Sequence, residues 1–124
     1  MFKVNNDLSI YVTRGDIVAL RVSAEDNNGN DYTFRYGDTV RFKVFEKKGC
    51  DCVLLQRDFI VDADSKTVDI LLTGEDNKIG DVIHKPRDYW YEVELNPMTN
   101  PQTIIGYDED GAKVFRRFPE GADV

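Results

Sequence analysis

Thr39-Val40-Arg41-Phe42-Lys43-Val44-Phe45-Glu46 is the stretch that decides the fold class. In an extended chain successive side chains point to opposite faces, so Val40, Phe42 and Val44 share one face while Arg41 and Lys43 share the other. The residues are β-branched or aromatic where they face inward, which suits a pleated, half-buried surface. This run is a strand with one face on a core.

The same rhythm extends in both directions. Toward the N-terminus, Leu8 to Thr13 alternates as a first strand, Arg14-Gly15-Asp16 breaks it, and Ile17 to Ala24 places Val18, Leu20 and Val22 on a core face. Glu25 to Asp31 is rich in residues that tolerate left-handed backbone and reads as a hairpin turn, with Tyr32-Thr33-Phe34 as a short return strand. Toward the C-terminus, Val53 to Val61 is a longer, bent or bulged run, and Thr67 to Leu72 aligns Val68, Ile70 and Leu72. Thr73 to Gly80 has a capping residue, early acids and a closing glycine, which predicts one helical turn. Asp88 to Leu95 resumes strand, with Tyr89, Tyr91, Val93 and Leu95 on one face and Trp90, Glu92 and Glu94 on the other. Thr103 to Tyr107 and Ala112 to Phe118 flank Asp108-Glu109-Asp110-Gly111, a turn signal that predicts a closing hairpin.

The expected fold is therefore all-β, an immunoglobulin-like antiparallel β-sandwich of seven to nine strands, with one short helical turn near residues 73–80. A chain of 124 residues fits a single sandwich domain over 1–124, with its ordered core at about 8–118. Apolar residues make up 41% and charged residues 31%, an ordinary globular balance.

Charge and composition narrow the function classes. Sixteen basic against twenty-three acidic residues give a formal net charge of -7, which repels phosphate backbones and argues against nucleic acid as a partner. No stretch approaches the ~18 apolar residues of a membrane span, and Met1 to Asp7 lacks the basic-then-apolar plan of a signal peptide, so no membrane is expected and synthesis in the cytoplasm is.

The chemistry-bearing residues offer little for catalysis. His84 is the one histidine, it lies in a loop before Pro86, and no G-x-S-x-G elbow is present. The chain is thus expected not to be an enzyme and to need no cofactor. The Asp26 to Asp31 turn fails as an EF-hand loop, because its sixth position is Asp31 and its twelfth is Gly37. Arg14-Gly15-Asp16 spells the integrin-ligand tripeptide, but a turn between strands accounts for it. Cys50 and Cys52 would sit about 6.6 Å apart on a strand, at the edge of disulfide reach, and are expected as free thiols.

The strongest binding signal is aromatic. Tyr89-Trp90-Tyr91 puts rings on both faces of one strand, and these three are the candidate interaction residues. Trp90 is open to three readings: buried between sheets, an interface anchor, or a sugar-stacking ring.

Several pieces, from Thr13 to about Phe118, resemble the immunoglobulin-like proteins of phage and prophage tails, especially the N-terminal domain of upper baseplate proteins. They are Thr13 to Asp16 opening a strand, Tyr36 to Phe42 as the central strand, Leu71 to Asp76 before a short turn, Asp88 to Val93 as the return strand, and Thr103-Ile104 leading into Val114-Phe115. The loop Ile83 to Arg87 is longer than is usual in that family. The resemblance implies a structural, virion-assembly role in a tail or baseplate, with other phage structural proteins, or a second copy of the chain, as partners. It brings no catalytic residues. The alternatives are a carbohydrate-binding module using exposed aromatics near Trp90, and an acidic inhibitor of a host enzyme.

Overall fold

The computed structural model describes residues 2–5, 7–25, 28–47, 52–78, 85–99, 102–105 and 112–118. Among these lie nine strands: β1 (Phe2–Val4), β2 (Ile10–Thr13), β3 (Val18–Val22), β4 (Thr39–Phe45), β5 (Val53–Ile60), β6 (Val68–Leu72), β7 (Arg87–Leu95), β8 (Gln102–Ile105) and β9 (Lys113–Phe118). They form a seven-stranded sheet in the order β1-β2-β9-β7-β4-β5, with β8 also on β7, and a two-stranded sheet of β3 and β6.

The order is that of an immunoglobulin-like sandwich. β9, β7 and β4 run side by side as the G, F and C strands do, and β3 and β6 form the opposing B–E pair. The alternation explains why the layers close. Val40, Phe42 and Val44 of β4 and Tyr89, Tyr91, Val93 and Leu95 of β7 are buried, and so are Val18, Leu20 and Val22 of β3 and Ile70 and Leu72 of β6. At the centre Phe42 stacks on Tyr91, with centroids 5.5 Å apart, and meets Phe115 edge-on at 6.3 Å.

Several expectations need correction. The sandwich is not wholly antiparallel: β2 runs parallel to β9, with Ile10 opposite Phe115 and Thr13 opposite Phe118. A parallel pair needs a long crossover, and here most of the chain supplies it. A further strand lies before residue 8: β1 pairs antiparallel with β2. Leu8 is not in a strand but turns at φ 70° within a hydrogen-bonded Asn5–Ser9 loop. In Tyr32-Thr33-Phe34 only Phe34 makes a bridge, with Ser65, and Asp31 just before it bridges Glu25; the segment links β3 of one sheet to β4 of the other.

The closing hairpin is replaced by another arrangement. β8 pairs with Val93–Leu95 and β9 with Arg87–Tyr91, so both lie in succession along β7. The Asp108 to Gly111 turn lies outside the described residues. The predicted bulge in β5 is present, where Phe45 pairs with Val53 after Val44 has paired with Leu55. Over 73–78 the chain makes a hydrogen-bonded turn and not the expected helical one, with Asn77 N–H to Thr73 C=O and Lys78 N–H to Glu75 C=O, and Gly80 lies outside the described residues. Thr73 caps it, accepting from the Asp76 amide while Asp76 accepts from the Thr73 amide.

Cys52 is in a disulfide, which corrects the expectation of a free thiol. It precedes β5 rather than lying in it, so strand spacing does not apply. The sequence holds one other cysteine, Cys50, outside the described residues.

Candidate functional site

Three surfaces of the sandwich present chemistry to the outside. The first is the outer face of the large sheet, where Trp90 sits. Alternation along β7 puts Trp90 opposite Phe45 of β4 and Val114 of β9, forming a short apolar row across three strands. Trp90 and Val114 are half-buried, and Phe45 is buried although it faces away from the main core. The Lys43 ammonium lies 5.5 Å from the Phe45 ring centre.

Charged rows flank that apolar row. On one side Arg116 grips Asp88 through two hydrogen bonds of 2.6 and 3.2 Å and stacks on Tyr11, its guanidinium carbon 5.0 Å from the ring centre. On the other, Lys43 pairs with Glu94, and Arg41 holds Asp58 through bonds of 2.8 and 3.0 Å. The Arg41 hydrogen bonds keep the Asp58 carboxyl below its ordinary range. Glu92 is opposite Lys43, and burial pushes its carboxyl above the ordinary range.

Of the three expected interaction residues, only Trp90 reaches this face. Tyr89 and Tyr91 are 1% and 0% exposed and belong to the core. Tyr91 donates its hydroxyl proton to the Leu8 carbonyl. Tyr89 lies against two guanidiniums, Arg117 at 5.1 Å and Arg87 at 5.3 Å, and accepts a 3.2 Å hydrogen bond from Arg117. A platform of three adjacent exposed rings, as a sugar site needs, is therefore not formed by residues 89–91.

The second surface is the sandwich end where β3, β5 and β7 finish and β4 and β6 begin. Its loops rest on Asp38. That carboxylate accepts from the Tyr32 hydroxyl at 2.8 Å, the Arg35 amide at 2.9 Å and the Asn96 side-chain amide at 3.2 Å. Burial raises the Asp38 pKa, but these donors outweigh it and leave the carboxyl below its ordinary range. Asn96 accepts in turn from the Thr39 amide, and Asp64 from the Tyr36 amide. On this fixed backbone Tyr36, Ile60 and Met98 stand 79%, 74% and 80% exposed. Sequence reasoning missed them; Tyr36 and Met98 lie in turns, where periodicity gives no facing.

The third surface is the edge of β5, which among the described residues is the last strand of the large sheet. Val53, Leu54 and Ile60 are exposed along it.

The Arg14-Gly15-Asp16 turn is half-buried and docked on the 73–78 turn, where Asn77 donates to the carbonyls of Thr13 and Asp16. His84 and Asp26 lie outside the described residues. Among the described residues no group of three His, Cys, Asp or Glu side chains is placed to hold a metal ion, and no helix is long and apolar enough to cross a membrane.

Comparison of the chain with protein families, with curated proteins and with solved structures finds no match.

Proposed function

We propose that this chain is a non-enzymatic structural module of a phage or prophage tail or baseplate, acting in virion assembly by docking to other structural proteins. The observation that carries the docking part is the sandwich end. Three large apolar side chains, Tyr36, Ile60 and Met98, are held in water on a backbone fixed by Asp38, Asn96 and Asp64. Scattered exposed apolar residues are ordinary, but these three stand on adjoining, hydrogen-bonded segments at one end of the sandwich, where one partner would cover them together. The tail or baseplate part is supported by the sequence resemblance over residues 13–118.

Co-expression with the products of the genes flanking its own tests the proposal. A stable complex with a tail or baseplate protein, lost in the double variant Tyr36→Ser, Met98→Ser, is the expected result. Flanking genes of metabolism, with no complex formed, would contradict it.

A further inference from the structure

We infer that the free edge of β5 is a self-complementary interface that pairs two copies of this chain into one continuous sheet. The inference rests on the reading of the chain as an assembly module and names one of its occupants. β5 reads Leu54-Leu55-Gln56-Arg57-Asp58-Phe59-Ile60, which is palindromic in character about Arg57: two apolar residues, a polar one, the arginine, a polar one, two apolar residues. A two-fold axis perpendicular to the sheet at Arg57 pairs each residue antiparallel with its mirror position in the second copy.

That register keeps every pair on one face, as strand pairing demands. On the outer face Leu54 meets Ile60 of the second copy and Gln56 meets Asp58, each twice. On the inner face Leu55 meets Phe59. The exposed apolar side chains Leu54 and Ile60, at 36% and 74%, thus cover one another. Gln56 supplies an amide donor opposite a carboxylate.

Charge does not oppose the register. Arg57 and Asp58 sum to zero, and both are engaged within their own chain, Arg57 with Asp76 and Asp58 with Arg41. The two arginines at the axis would repel if free, but each is drawn to its own Asp76. Of the usual guards against pairing, Val53–Ile60 lacks lysine and proline; its bulge, at Leu54, touches only the end of the paired span, and the inward-facing charge of Arg57 is met by Asp76. The net charge of -7 on each chain opposes approach at long range, a repulsion that salt screens within about 8 Å at physiological ionic strength. Dimerisation is therefore expected to strengthen with salt.

A strand-to-strand contact of this length buries less than the ~1,200–2,000 Å² of a standard interface, so the pairing is weak and calls for concentrations up to about 1 mM. Sedimentation of the full chain is expected to show the mass rise from 14.2 kDa toward twice that value with concentration. Leu54→Lys and Ile60→Lys should each hold the protein at one chain while circular dichroism and melting temperature stay at wild-type values. The register has its own check. Arg57→Cys should cross-link to its own copy on mild oxidation. Gln56→Cys should not, because its counterpart lies two positions away, about 8 Å off, beyond disulfide reach. A wild-type chain that stays single throughout, a dimer that survives both lysine variants, or faster cross-linking through position 56 would overturn the inference. A single chain that still binds a tail protein would sink this inference and leave the proposed function standing.

Discussion

The side-chain amide of Asn77 donates to the main-chain carbonyl of Thr13 at 2.8 Å, joining two turns that lie sixty-four residues apart in sequence. The same amide reaches the carbonyl of Asp16, so one buried side chain fixes both ends of the Arg14-Gly15 turn. Gly74 completes the contact: a Cβ built there would run into the Gly15 carbonyl. Asn77→Ala removes a donor from the carbonyls of Thr13 and Asp16 and is expected to cost about 1–3 kcal/mol. Gly74→Ala should cost about as much through overpacking. Urea unfolding of the two variants checks both figures.

Phe42 is the pivot of the core, stacked on Tyr91 and edge-on to Phe115. Phe42→Ala is expected to destabilise the fold by about 3–5 kcal/mol through lost burial and a residual cavity. Tyr36→Ser, by contrast, removes a side chain that is 79% exposed, and should change stability by no more than about 0.5 kcal/mol. Thermal melts of the pair separate a packing residue from a surface one.

Tyr91 contributes to the alkaline limit. Burial pushes its phenol well above the ordinary value of 10, and the nearby Asp7 charge adds to this. In the unfolded chain the phenol loses its proton near pH 10, while in the folded chain it keeps it. The unfolded state therefore binds fewer protons above pH 10, and stability falls as pH rises from there. Tyr91→Phe should flatten that decline, and should cost about 1 kcal/mol at neutral pH through the lost bond to Leu8. Stability measured from pH 8 to 11 in both proteins gives the comparison.

The acid limit runs the other way. Asp38, Asp58 and Asp76 are all held below the ordinary carboxyl value of 3.8, against burial that opposes this in each. Their contribution is complete above that value and is lost as pH falls below it. Asp38→Asn should lower stability at pH 7, where the carboxylate holds three donors, and make the loss below pH 4 shallower.

Much of this was legible in the chain. The alternation of Val40-Phe42-Val44 and of Tyr89 to Leu95 gives the faces of β4 and β7 directly, and it separates Trp90 from its two tyrosine neighbours. What local pattern cannot carry is pairing between distant segments. The parallel alignment of Ile10 with Phe115 depends on the two ends of the domain meeting, which no window of sequence records. The placement of β8 and β9 along one strand defeats the hairpin rule for the same reason. Arg116 and Arg117 look alike in sequence. Alternation from buried Phe115 sends Arg117 inward, and its guanidinium lies there against the ring of Tyr89, a contact that no local pattern records. Tyr36 and Met98 sit in turns, where exposure follows from tertiary hydrogen bonds rather than from period.

As proposed, this sandwich works through its edge and its loop end while its core stays unchanged. Backbone hydrogen exchange on the full chain, followed from dilute to about 1 mM protein and again with a tail or baseplate protein from a flanking gene, tests it most directly. Exchange is expected to slow over residues 54–60 as concentration rises, to slow around Tyr36 and Met98 when the partner is added, and to stay unchanged at Phe42 and Tyr91. Exchange that is indifferent to both additions, or slowed only within the core strands, would contradict it.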